Sequence, residues 1–202
     1  SLKCWGENVY GQLGDGTTTD TCTDDYDDQG NPLFTCENNA STASAIDLGT
    51  GRYAVAVSAA KQHTCAILDD GSMKCWGANG NGKLGDGTAT QRLTPVAVSL
   101  SSSFTASKVS AGGSHTCAIM SDDSLWCWGY EDYIGVGDYA CEDQSTGAND
   151  LCYTPVWLNL SAKAVNLGNE HTCAILDDAN FWCWGRNSEY QLGTSNSGSE
   201  DW

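Results

Sequence analysis

Its 202 residues are enough for one or two compact domains with a core. With 26 acidic against 9 basic residues the formal charge is −17, and the scattered Lys and Arg form no patch that could neutralise phosphates, which argues against nucleic acid and anionic membrane surfaces as partners. Eleven cysteines without Cys-x-x-Cys zinc spacing indicate disulfides and an oxidising compartment, and no run of about 18 apolar residues could span a bilayer.

The chain opens on Leu2-Lys3-Cys4-Trp5-Gly6 and continues into a glycine-rich loop ending at Leu13-Gly14. No signal peptide precedes it, which for a disulfide-rich protein suggests a mature or partial chain. An insertion from Thr17 to Asn39 follows, with Cys22 and Cys36 in an Asp-rich run. Its segment Asp25-x-Asp27-x-Gln29-Gly30 carries side-chain oxygens at alternate positions ahead of a glycine. That pattern begins a calcium loop and makes Asp25, Asp27 and Gln29 candidate Ca2+ ligands. Cys36 occupies the place of the closing Glu, and a solvated acidic loop tip is the competing reading.

A short strand is expected over Ala54 to Ala59, followed by His63-Thr64-Cys65-Ala66-Ile67 through Cys75-Trp76-Gly77. This stretch recurs from His115 to Gly129 and from His171 to Gly185, each time with two cysteines ten residues apart around a polar turn. As a hairpin it sets Cys65 opposite Cys75, Ile67 opposite Met73 and Ala66 opposite Lys74. The same register pairs Ile119 with Leu125, Ala118 with Trp126, Ile175 with Phe181 and Ala174 with Trp182. Directly opposed residues in a non-hydrogen-bonded antiparallel pair have Cα atoms about 4.5 Å apart, within disulfide reach. Three hairpin disulfides are therefore expected: Cys65–Cys75, Cys117–Cys127 and Cys173–Cys183.

Further strands are expected over Ser107 to Ala111 and Ala164 to Gly168, with a valine six residues before each histidine (Val57, Val109, Val165). Thr94-Pro95-Val96 and Thr154-Pro155-Val156 suit edge strands, where proline's missing donor is tolerated. Glycine-rich loops run from Gly77 to Gly85 and from Gly185 to Gly193; the third departs, with Glu131 where the others have Asn and Ile134 where two have Gly. A second insertion, Glu142 to Leu151, is bracketed by Cys141 and Cys152. Pairing each insertion's own cysteines, Cys22–Cys36 and Cys141–Cys152, leaves Cys4 unpaired, with its ten-residue partner falling before residue 1.

Short strands repeating about every fifty residues, apolar on both faces, are what stacked propeller blades require. The expected fold is all-β, with β-propeller-type repeats of four-stranded antiparallel blades. About four units are expected (1–42, 43–92, 93–152 and 153–202), the first and last incomplete. The array is then either a segment of a larger propeller or one completed by a neighbouring subunit.

The run Gly-x-x-His-Thr-x-Ala-Ile/Leu-x-x-Asp-Gly-x-x-x-x-Trp-Gly-x-Asn-x-x-Gly-Gln-Leu-Gly resembles the regulator of chromosome condensation repeat over nearly the whole chain. The resemblance implies a seven-bladed β-propeller as the parent fold, with guanine-nucleotide exchange on a small GTPase as the family's best-known activity. The cysteine pairs are additions to the pattern and match secreted relatives better, which argues against exchange activity.

The chain's only histidines, His63, His115 and His171, share one repeat position and should fan around the axis instead of converging. They are read as structural, bonding to backbone within each blade. With no catalytic signature in the sequence, an enzyme is not expected. Trp76, Trp128 and Trp184 should pack between blades, whereas Trp126, Trp157 and Trp182 are less regular and could stack on a sugar or partner. Asn39-Ala40-Ser41 and Asn159-Leu160-Ser161 are glycosylation sequons, making Asn39 and Asn159 candidate acceptors.

Together these features describe an extracellular structural or protein-interaction module at the cell surface or secreted, with filament assembly from identical subunits as one version. Inhibition of a secreted enzyme and glycan binding are the alternatives. No cofactor is implied beyond Ca2+ at the acidic loop.

Overall fold

The computed structural model describes residues 2–18, 22–26, 32–36, 39–100, 104–135, 141 and 151–195, with backbone alone for 22–26, 32–36 and 39–44. Strands β1 (Lys3–Glu7) and β4 (Asn39–Ala45) pair antiparallel, and between them β2 (Cys22–Tyr26) and β3 (Pro32–Cys36) form a separate hairpin. The next four strands, β5 (Ala54–Ala59), β6 (His63–Leu68), β7 (Met73–Gly77) and β8 (Arg92–Ala97), make one complete four-stranded blade.

The following blade is β9 (Ala106–Ala111), β10 (His115–Met120), β11 (Ser124–Tyr130) and the first part of β12 (Leu151–Leu167). A four-residue helix, α1 (Glu131–Ile134), follows β11. β12 serves two blades: up to Ser161 it pairs with β11, and from Ala162 it pairs with β13 (His171–Leu176), which pairs with β14 (Phe181–Gly185). No glycine or proline interrupts β12 between its two roles, and six strands join in one hydrogen-bonded series. The fold is the all-β repeat of antiparallel blades that the sequence indicates.

The hairpin register agrees position by position with the expected one. Cys65 faces Cys75, Ile67 faces Met73 and Ala66 faces Lys74, and the two later copies repeat this. All three cysteine pairs are bonded across Cα separations of 4.1 Å. β6 and β10 are buried along their whole length, because neighbouring sheets cover both faces. Their composition, His-Thr-Cys-Ala-Ile without alternation, is what two-sided burial selects. Cys117, Cys127, Ile119, Met120, Leu125 and Trp128 lie at the centre of the larger core.

At each hairpin turn an aspartate carboxylate accepts the backbone N–H two residues on, at 3.0 Å for Asp70 and Ser72, 3.1 Å for Asp122 and Ser124, and 3.0 Å for Asp178 and Asn180. The residue between takes positive φ: Gly71 in the first copy, but Asp123 and Ala179 in the others.

Two details differ from the sequence division. β8 hydrogen-bonds back onto β7, so that sheet ends at Ala97 and the next near Ser161, one strand beyond the breaks drawn at 92 and 152. Ile134 is fully buried and precedes Gly135 as Leu84 precedes Gly85. Counted from the glycine, the third loop is two residues shorter and Ile134 takes the leucine place, not a glycine place.

Candidate functional site

The polar chemistry of the repeat gathers where one blade meets the next. The backbone carbonyl of Lys83 accepts Thr116 Oγ1–H at 2.8 Å and Trp128 Nε1–H at 2.9 Å. One blade earlier, the Gln12 carbonyl accepts Thr64 Oγ1–H at 2.9 Å and Trp76 Nε1–H at 2.8 Å. One blade later the Tyr133 carbonyl accepts Thr172 Oγ1–H at 2.6 Å. The glycine two residues after each carbonyl makes this approach possible: a Cβ on Gly14, Gly85 or Gly135 would lie 2.6, 2.7 or 2.5 Å from the indole nitrogen of Trp76, Trp128 or Trp184.

The threonine hydroxyl also contacts a histidine of the preceding blade. His63 Nε2 lies 2.9 Å from Thr116 Oγ1, and His115 Nε2 lies 2.8 Å from Thr172 Oγ1. Each hydroxyl has one proton, and a carbonyl can only accept, so that proton goes to Lys83 or Tyr133 and the histidine donates from Nε2. His63 and His115 therefore carry their proton on Nε2. Their Nδ1 atoms are buried and face no partner among the described residues. Burial holds both pKa values down to about 3, helped at His63 by the Lys83 charge and then His115, and at His115 by the His171 charge. These imidazoles are neutral rivets. The expected bond to backbone within a blade is corrected: the partner is a side-chain hydroxyl of the next blade, more than fifty residues away in sequence.

Two further repeat positions belong to this frame. Lys83 is buried at 3% exposure, donating to Gln62 Oε1 at 3.1 Å and to the Gly113 carbonyl at 3.0 Å. Burial pushes its pKa down to about 8. Its position is that of Gln12 and Gln191 in the equivalent loops, and that departure was the available signal. Asn8, Asn79 and Asn187, all buried, brace the loops: their Oδ1 atoms accept Leu13, Leu84 and Leu192 N–H at 3.0, 3.0 and 2.9 Å.

Of the remaining sequence candidates, Asp25 lies in β2 with only its backbone described, and Asp27 and Gln29 lie outside the described residues. Among the described residues no group of His, Cys, Asp and Glu could hold a metal ion. Cys22 and Cys36 are directly opposed in the β2–β3 register, Cys141 is bonded to Cys152, and Cys4 is a half-buried free thiol whose pKa is raised by burial and then by the Asp15 charge. Asn39 begins β4, with backbone alone described, and Asn159 is exposed on β12.

The aromatic residues divide in two. Trp76 and Trp128 are fully buried and Trp184 nearly so, packed between blades as expected. On an outer face Trp126 lies opposite Trp157 across β11 and β12, with Phe104 against Trp126 at a ring separation of 5.3 Å. Trp157 remains 53% exposed.

Family comparison returns the regulator of chromosome condensation (RCC1) repeat, over residues 70–119 and, by a second model of the same repeat, over 54–83, 106–133 and 162–191. The chain is 27% identical over 196 residues to the ultraviolet-B receptor UVR8 of Arabidopsis thaliana, covering 97% of this chain and 39% of the receptor. It is 28% identical over 195 residues to the mitochondrial RCC1 domain-containing protein RUG3 of the same plant, covering 95% of this chain and 39% of that protein. Among solved structures it resembles Prp20p of Saccharomyces cerevisiae with a TM-score of 0.74 and 17% identity, covering 98% of this chain and 44% of that one. It also resembles yeast RCC1 (Prp20) bound to Kap60, with a TM-score of 0.71, 18% identity and coverage of 98% and 43%. The chain thus spans about two fifths of the length of these relatives.

Proposed function

Because the chain belongs to the regulator of chromosome condensation (RCC1) repeat family, we propose that it is a non-catalytic protein-interaction module whose blades form a disulfide-locked scaffold in an oxidising, extracellular setting. The observation that carries this reading is the locked state of the polar repeat positions. His63, His115, Thr64, Thr116 and Thr172 are spent in blade-to-blade hydrogen bonds, and the two histidines are buried and neutral. An imidazole held near pKa 3 with its proton donated to a threonine is poorly suited to general acid–base work near neutral pH.

What remains for recognition is the outer surface. It combines an acidic excess with exposed aromatic side chains such as Trp182, suited to a basic protein partner reached by electrostatic steering and anchored by ring contacts. One structural neighbour, yeast Prp20, has been solved bound to Kap60 and is described with binding properties to Gsp1p and histones, which supports a protein ligand here. The bonded cysteine pairs support the oxidising compartment.

The test is affinity purification from the source organism, identification of the retained protein, and titration of that purified protein against this chain. Saturable binding that weakens as salt rises through about 150 mM and drops on Trp182→Ala is the expected result. Binding indifferent to both salt and Trp182, or substrate turnover by the purified chain, would refute the reading.

A further inference from the structure

Asn159 lies in a break in the β11–β12 ladder. Ser124 pairs with Ser161 and Trp126 with Trp157, so three residues of β12, Leu158 to Leu160, oppose the single Leu125. This three-against-one bulge carries Asn159 at its middle with a φ of 57°, the left-handed conformation that asparagine tolerates better than most side chains. Asn159 is exposed, and so is Ser161, the hydroxyl residue two positions on. Trp157, two positions before, is also exposed and has Trp126 opposite it.

We propose that Asn159 is the acceptor of an N-linked oligosaccharide and that Trp157 is the platform for its first sugar. The sequon supplies the reacting amide and the hydroxyl that recognition requires. The bulge leaves Asn159 without a paired residue on β11, and its amide is exposed. In transfer, Nδ2 of Asn159 forms a bond to the anomeric carbon of an N-acetylhexosamine carried on a lipid diphosphate. The bond from that carbon to the diphosphate oxygen breaks, the diphosphate leaves with the electron pair, and Nδ2 gives up one proton to the transferase. The pyranose face that carries axial hydrogens is apolar and stacks on an indole, while its hydroxyls stay in water. The second sequon has no such platform: Glu37, not an aromatic, stands two residues before Asn39.

The experiment is secretion of the chain, and of its Trp157→Ala and Trp157→Phe variants, from a host that transfers N-glycans. Site occupancy is read by peptide mass spectrometry. The rate at which an endoglycosidase releases glycan from the native protein is then read site by site. Occupancy at Asn159 is expected, with release about two- to tenfold faster for Trp157→Ala than for the parent and near the parental rate for Trp157→Phe. Asn39, if occupied, should release at one rate in all three proteins. An unmodified Asn159 in the folded, secreted parent overturns the inference, as do equal release rates from Asn159 in all three proteins. The readout is independent of any protein partner, so failure of the binding proposal leaves it intact.

Discussion

Thr116 joins three blade elements through one hydroxyl, donating to the Lys83 carbonyl and accepting from His63. Thr116→Val keeps the shape and removes both bonds, leaving His63 Nε2–H buried without an acceptor. The expected cost is about 1–3 kcal/mol in denaturant unfolding, with Thr116→Ser recovering most of it; a neutral Thr116→Val would show the contact to be idle. Lys83 is the converse case, a buried cation among neutral acceptors. With its pKa lowered to about 8, the folded state binds fewer protons than the unfolded state between there and the ordinary 10.5. Stability therefore rises with pH through that window and is penalised below it. Lys83→Gln, which restores the residue found in the equivalent loops, should stabilise the protein near pH 7 by about 1 kcal/mol or more, a gain that shrinks as pH rises past 8. The single repeat position of the histidines pointed to the frame that His63 and His115 occupy. Their bonding partner was not legible, since Thr116 lies more than fifty residues beyond His63 and only the stacking of blades brings them together.

The hairpin is the element that sequence specifies most fully, because a side-chain period of two and a cysteine pair leave one register that satisfies both. Its turn is where the copies disagree. Ala179 holds a φ of 66° at the place where the first copy has Gly71. Ala179→Gly should therefore stabilise by about 1 kcal/mol, seen as a rise in thermal midpoint; a fall would mean the strain is relieved elsewhere. Each hairpin disulfide closes a short loop, and replacing both Cys117 and Cys127 by serine should cost about 2–3 kcal/mol. Other elements were hidden. β4 reads Asn-Ala-Ser-Thr-Ala-Ser-Ala, without the Thr-Pro-Val of the later edge strands, so only its pairing with β1 reveals it. β12 merges an expected edge strand with the next blade's first strand, because the expected boundary contains no glycine or proline to break it.

At the scale of the molecule, the repeat, the charge and the cysteine count were enough to give the blades and their two-sided burial. They were silent on which surface meets a partner, since the repeat positions are consumed in holding blades together. That consumption makes stability depend on acid. His63 and His115 bind fewer protons folded than unfolded between pH about 3 and 6.5, so stability falls as pH drops through that window. The slope is about 1.4 kcal/mol per pH unit for each histidine. The claim that these imidazoles are scaffold and not chemistry is tested most directly by nuclear magnetic resonance of the ring nitrogens across a pH titration of the folded protein. His63 and His115 should hold the neutral tautomer, protonated at Nε2, from pH 7 down to about pH 4. Titration near pH 6.5, or a proton exchanging between Nδ1 and Nε2, would contradict the account.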